Sequence, residues 1–225
     1  MIDLDVFAGG VVVSCQARAD NPLHGPVHMA AMAVAAERGG AVGIRAEGAA
    51  DIAAIRAEVA LPIIGIRKIL DGRPVYITPT FETAREIAAA GADLIALDAT
   101  LRDRDGGPGP GELIRYVREE LGLPVMADCD SVASAVAAAR AGAELVSTTL
   151  AGYTGAAVPR EPDLALVTAM AEEVEVPVVA EGRLWSPADV AAAFDAGAWA
   201  VVVGTAVTNP MRITARLAEA APRRR

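Results

Sequence analysis

Short, almost continuously apolar runs recur along the chain: "VVVSCQ" (11–16), "AVGIRA" (41–46), "PIIGIRK" (62–68), "DLIALDA" (93–99), "PVMADC" (124–129), "LVSTTL" (145–150), "PVVAEG" (177–182) and "AVVVGT" (200–205). A strand covered on both faces reads this way, whereas a half-solvated strand alternates. Between the runs lie Ala-rich stretches whose apolar positions return with helical spacing, such as "FETAREIAAAGA" (81–92) and "SVASAVAAARAGA" (131–143). Strand and helix alternate throughout, which predicts a parallel sheet.

The entrances to the strands repeat as well. The even-numbered strands follow a glycine at a helix end, Gly40, Gly91, Gly142 and Gly197, spaced 51, 51 and 55 residues apart. These positions suit a left-handed helix cap. Strands three, five and seven follow a proline: Pro62, Pro124 and Pro177. Proline is tolerated at a strand's first residue and discourages helix before it. The repeat is therefore a pair of βα units, and four pairs give eight strands. The fold class expected is α/β, a single-domain (β/α)8 TIM barrel with parallel strands over residues 1–220, followed by a short basic tail at 221–225. A doubly wound open sheet uses similar elements, but eight regular units fill the chain with no linker or shift in composition.

Composition narrows the function. The 225 residues carry 20 basic and 29 acidic side chains, a net charge of −9. An acidic body repels nucleic acid and anionic lipid, so an anionic substrate must be held by local groups. No apolar run approaches the roughly 18 residues of a membrane span. The start "MIDLDVFAGG" lacks the early basic residues of a secretory signal. Cys15 and Cys129 form no Cys-x-x-Cys spacing, and Pro26 interrupts His24 and His28, so no metal site is expected and a cytoplasmic protein with ordinary thiols is. "RDRDGGPGPGE" (102–112) lacks the Gly-Lys-Ser/Thr of a nucleotide loop.

Barrel chemistry is built at the C-terminal ends of the strands. Standing there are Ser14, Cys15 and Gln16; Arg45; Lys68; Asp98; Asp128; Thr148 and Thr149; Glu181, Gly182 and Arg183; and Gly204 with Thr205. Strands three and seven are opposite in an eight-membered ring. Lys68 and Glu181 would then face one another across the axis, an arrangement suited to moving a proton at one carbon. A lysine is ordinarily protonated near neutral pH; burial and Arg45 would lower its pKa, while Glu181 and Asp128 would raise it. Glycines after strands seven and eight, in "AEGR" and "VVGTA", allow backbone N–H groups to approach a phosphate.

With these motifs in order, the chain resembles the N-acetylmannosamine-6-phosphate 2-epimerase family. The matching segments are "VSCQA" (13–17), "PLHGP" (22–26), "GIRAEG" (43–48), "PIIGIRK" (62–68), "YITPT" (76–80), "IALDAT" (95–100), "MADCD" (126–130), "STTLAGYT" (147–154), "AEGR" (180–183) and "VVVGTAVTNP" (201–210). The resemblance implies interconversion of N-acetylmannosamine 6-phosphate and N-acetylglucosamine 6-phosphate in amino-sugar breakdown, with no metal or nucleotide cofactor. It implies catalytic roles for Lys68 and Glu181 and sugar contacts for Gln16, Arg45, Asp128, Tyr153 and Thr154. Phosphate contacts fall to Gly182, Arg183, Gly204 and Thr205. The chain departs from the family pattern at Arg67, in "ILDGRPV" (69–75) and at Asn209, where many members carry an arginine. Two other readings stay open at this point: a lysine Schiff-base lyase or aldolase, and a non-catalytic sugar-phosphate binder. A homodimer is compatible with either class.

Overall fold

A computed structural model describes residues 2–155 and 158–222. Eight strands close into one parallel barrel in chain order: β1 (Val11–Cys15), β2 (Gly43–Glu47), β3 (Ile63–Ile66), β4 (Leu94–Asp98), β5 (Val125–Asp128), β6 (Leu145–Ser147), β7 (Val178–Glu181) and β8 (Ala200–Val203). Outside them run α1 (Pro26–Arg38), α2 (Ala49–Glu58), α3 (Phe81–Ala89), α4 (Pro110–Glu119), α5 (Val132–Ala141), α6 (Leu164–Glu173) and α7 (Pro187–Asp195). A short α8 (Thr205–Thr208) and a longer α9 (Pro210–Glu219) follow β8. No described helix is long and apolar enough to cross a membrane. Of the basic tail, Arg223–Arg225 lie outside the described residues.

The paired repeat has a physical basis at both of its markers. Gly40, Gly91, Gly142 and Gly197 all hold φ between 92° and 104°, a left-handed conformation that a side chain would strain. The carbonyls of Pro62, Pro124 and Pro177 accept from Ile44, Ile95 and Val146 at 2.9, 3.1 and 3.2 Å. Each proline thus starts its ladder with the one polar backbone group it has.

Strand side chains alternate between two layers. Val13, Ile44, Ile63, Ile95, Val125, Val146, Val178 and Val201 face outward into the layer shared with the helices. Val12, Ile64, Ile66, Leu94, Ala96, Met126, Leu145, Val179 and Val202 fill the barrel interior. A 3-10 turn at Leu4–Phe7 precedes β1, and Phe7 closes the bottom of the barrel. Gly43 is obligatory there, since a Cβ would stand 2.5 Å from Phe7 Cε1.

Strands β6 and β3 stop three and two residues short of the ends of their apolar runs. The run 145–150 leaves the sheet after Ser147 and turns, with Ala151 N donating to Thr148 O and Tyr153 N to Leu150 O. The run 62–68 leaves it after Ile66; Lys68 then forms an antiparallel bridge with Ile77, so residues 67–78 make a small ribbon above β3.

Candidate active site

Alternation carries the interior faces upward to the C-terminal rim. Beyond Val12 come Ser14 and Gln16; beyond Gly43, Arg45; beyond Ile66, Lys68; beyond Met126, Asp128; beyond Leu145, Ser147 and Thr149; beyond Val179, Glu181. Period two thus aims these polar side chains at the barrel axis.

Arg45 is the hub. It is 1% exposed. Its Nη2 reaches Asp128 Oδ2 at 2.5 Å and its Nη1 reaches Asp128 Oδ1 at 3.0 Å, a bidentate pair with a fully buried carboxylate. The same Nη1 donates to Glu181 Oε2 at 2.8 Å. Thr149 Oγ1 lies 2.8 Å from Asp128 Oδ1 and 2.9 Å from Glu181 Oε2, bridging the two acids. Lys68 Nζ donates to Gln16 Oε1 at 2.6 Å, and Gln16 Nε2 donates to Ser14 Oγ at 2.7 Å. Two cations, Arg45 and Lys68, thus stand among the carboxyl groups of Asp128, Glu181 and Glu47 in a largely buried site, where charges act on one another strongly.

The protonation consequences follow. Burial first, then the fixed charge of Arg45, lower the Lys68 pKa from 10.5 to about 8, against the pull of Glu181 and Glu47. Burial, aided by Asp128, raises Glu181 above the ordinary carboxylate value even though Arg45 and Thr149 favour its ionised form. Burial opposes the charge on Arg45, but Asp128 and Glu181 outweigh it and keep the guanidinium ionised. The site thus holds one cation that cannot titrate beside an amine and an acid displaced towards neutral pH.

The phosphate group expected at the ends of β7 and β8 is laid out less uniformly. Gly182 holds φ 118° and Arg183 φ 60°, so the chain turns sharply at the rim. The Arg183 guanidinium, however, ties down the loop after β6: Nη1 donates to Ala151 O at 2.7 Å, Nε to Glu161 O at 2.6 Å, and the group stacks over the Tyr153 ring at 5.4 Å. Tyr153 and Thr154 are exposed on that loop, and among the described residues neither hydrogen-bonds to the side chains of Arg45, Asp128 or Glu181. Gly204 caps α8, and a Cβ there would stand 3.2 Å from Ser14 Cβ; Thr205 is exposed beside it. Asn209 caps α9, accepting from Arg212 N at 3.1 Å.

Sequence reasoning gave no site role to three residues that touch this machinery. Thr149 was visible only as a rim position, although its place two residues beyond Ser147 marks it as inward-facing. Glu47 and Thr78 hold the backbone around Lys68, a role visible only once the ribbon is seen. Asp98, also at the rim, is buried but stands apart from the Arg45 hub, bonded instead to Thr100 and Arg102. His24 Nδ1 meets the Ala17 carbonyl at 2.8 Å.

A closed parallel barrel with its buried charges gathered at the C-terminal rim defines the class: a (β/α)8-barrel protein with a polar site at the strand ends. Residues 29–223 match the family described as "Putative N-acetylmannosamine-6-phosphate epimerase" (NanE). A relative from Caldanaerobacter subterraneus subsp. tengcongensis is 47% identical over 210 residues, covering 92% of this chain and 89% of that protein. One from Thermosynechococcus vestitus is 51% identical over 204 residues, covering 89% and 88%. Both are described as "Putative N-acetylmannosamine-6-phosphate 2-epimerase". The structure of the N-acetylmannosamine-6-phosphate 2-epimerase from Clostridium perfringens superimposes with a TM-score of 0.92 at 39% identity, covering 96% of this chain and 95% of that one. FabK from Thermotoga maritima, at 19% identity and a TM-score of 0.58, shares the fold alone. The chain belongs to the NanE N-acetylmannosamine-6-phosphate epimerase family.

Proposed function

We propose that the protein is an isomerase that interconverts N-acetylmannosamine 6-phosphate and N-acetylglucosamine 6-phosphate by inverting C2. Family membership sets the reaction, and one observation supports the chemistry: a buried lysine held by Gln16, with its pKa drawn down to about 8, stands within electrostatic reach of a carboxyl group of raised pKa. In the open-chain sugar the C1 carbonyl acidifies the C2 hydrogen. Lys68 and Glu181 handle the proton; its removal leaves an enolate, and a proton returned to the other face gives the epimer. Arg45, held by two carboxylates, supplies the fixed positive charge that keeps part of Lys68 neutral. Gln16, Arg45 and Asp128 contact the sugar and its N-acetyl group, and Tyr153 and Thr154 cover it. Backbone at Gly182, Arg183, Gly204 and Thr205 surrounds the phosphate. The Arg183 side chain acts there indirectly, by holding the loop that carries Tyr153.

Incubation of N-acetylmannosamine 6-phosphate with the protein in deuterium oxide, followed by proton NMR, tests this. The expected result is loss of the C2 proton signal with formation of the epimer, and neither event with K68A. Epimerisation without solvent deuterium at C2, or none at all, would refute it. A substrate-mass adduct on Lys68 after borohydride treatment would replace it with Schiff-base chemistry.

The same reading includes a cytoplasmic location, favoured by two buried free cysteines, and a homodimer. The helix α9 favours the dimer: none of its residues is buried, and Met211 and Leu217 are 44% and 69% exposed. Light scattering after gel filtration should give twice the mass of one chain; a mass of one chain would remove the dimer from the reading.

A further inference from the structure

Lys68 stands two residues beyond the end of β3, where a departing chain ordinarily has no ladder to hold it. Its backbone is nevertheless gripped from two sides. On one side, Thr78 N donates to Arg67 O at 2.6 Å, and Thr78 Oγ1 accepts from Arg67 N at 3.2 Å. The same hydroxyl donates to Ala96 O on β4 at 2.7 Å, and Asp98 N donates to Ile77 O at 3.0 Å. The returning half of the ribbon is therefore fastened to β4. On the other side, Glu47 Oε1, at the end of β2, accepts from Lys68 N at 3.1 Å. That carboxylate is itself steadied by Arg67 Nη1 at 3.0 Å.

Thr78 is fully buried and holds φ 45°. A β-branched residue adopts left-handed backbone only where its surroundings enforce it. Here the conformation lets one residue bond both backbone groups of Arg67 and still reach β4. Arg67, which departs from the family's apolar residue before the lysine, gains a use: it bridges Glu47 and Glu86 on the outer side of the rim.

We infer that Thr78 and Glu47 are positioning residues that clamp the Lys68 backbone so that its amine is delivered to Gln16 and the Arg45–Glu181 network; this rests on the epimerase reading above. Each fixes a different stretch of the ribbon. Losing either frees the lysine stem without touching the sugar. The deficit belongs to kcat, because the ground-state contacts to sugar and phosphate come from other strands.

The test compares T78V and E47A, which remove the side-chain bonds, with T78S and E47Q, which keep an oxygen in place. Deuterium exchange at C2 and steady-state kinetics on N-acetylmannosamine 6-phosphate are measured for each. The expected result is a loss of about 10- to 100-fold in kcat for T78V and E47A, with KM nearly unchanged. T78S and E47Q recover most of that loss. E47Q also moves the rising limb of the pH profile to lower pH, since Glu47's charge opposes deprotonation of Lys68. A general loss of packing would produce neither the rescue by the conservative variants nor that displacement. If T78V does not fold, as judged by its melting curve, the pair of variants at the partly exposed Glu47 decides the matter. Wild-type turnover separates the two readings: no exchange in the wild type defeats the epimerase assignment, whereas normal wild-type exchange with an unchanged kcat in E47A overturns the clamp.

Discussion

Replacing Lys68 with methionine should stabilise the protein while abolishing its activity. A fall in pKa from 10.5 to about 8, at about 1.4 kcal/mol for each tenfold change in proton affinity, means that the buried ammonium costs about 3 kcal/mol. The sign follows from proton linkage. Between the folded and unfolded values the unfolded chain binds more protons at this site, so wild-type stability rises with pH from about 8 to 10.5. Below that window the penalty is complete; above it the penalty vanishes. Methionine keeps most of the apolar stem and removes the charge. It also forfeits the bond to Gln16, worth about 1 kcal/mol. The net gain at pH 7 is therefore about 2 kcal/mol, or about 4–8 °C in melting temperature for a chain of this length. Urea denaturation of wild type and K68M at pH 7 and pH 10 measures it. The two curves should differ at pH 7 and nearly coincide at pH 10. A K68M variant less stable than wild type at pH 7, or a difference that ignores pH, would refute the claim that Lys68 is a strained cation.

The proposed role of Lys68 as base needs its neutral amine, so the wild-type kcat/KM should rise about tenfold per pH unit below 8 and level off above it; a profile flat from pH 6 to 9 would exclude Lys68 from that role. Arg45→Met should lower stability by about 3–5 kcal/mol in urea titrations at pH 7, since it strands Asp128 in the interior without its partner; a loss below about 1 kcal/mol would mean that water reaches the carboxylate. Gly65→Ala should lower stability by about 1–3 kcal/mol without moving the pH profile, because its Cβ would stand 2.6 Å from Ala92 Cβ on the outer face of β3; unchanged stability would show that this face can relax.

The barrel was legible because its repeat is written in residues with narrow backbone preferences. Gly40, Gly91, Gly142 and Gly197 mark the helix ends by requiring positive φ, and three prolines mark the strand starts. The strand ends were less legible. "LVSTTL" is apolar and β-branched to its last residue, yet the chain turns after Ser147. Propensity cannot register a ladder that has run out of partner: the paired register of β6 and β7 ends at Ser147 and Val179. Lys68, Glu181, Arg45 and Asp128 could be placed at one rim from strand counting alone. That Arg45 would be shared by both acids could not, because the sharing depends on strand stagger across the barrel. Arg183 shows the reverse limit. Its position beside Gly182 suggests phosphate, but its side chain has carbonyl acceptors on a loop thirty-two and twenty-two residues away in sequence.

Two buried acid–arginine clusters stand at the same rim, and their construction differs in a way that bears on function. Asp98 is satisfied by its own loop: Thr100 Oγ1 donates at 2.6 Å and Arg102 Nη2 at 2.7 Å, partners two and four residues away. Such a cluster assembles with the loop itself and needs nothing from across the barrel. Asp128 depends on Arg45, 83 residues away in sequence, and Glu181 on the same group, 136 residues away. Closing contacts of that range is entropically expensive, and burying the charges adds desolvation. An apolar layer would fill the same space with less penalty. The long-range cluster is thus a poor way to hold a barrel together. It is an effective way to keep a permanent positive charge beside an amine, inside a mouth whose walls are fixed before any substrate arrives.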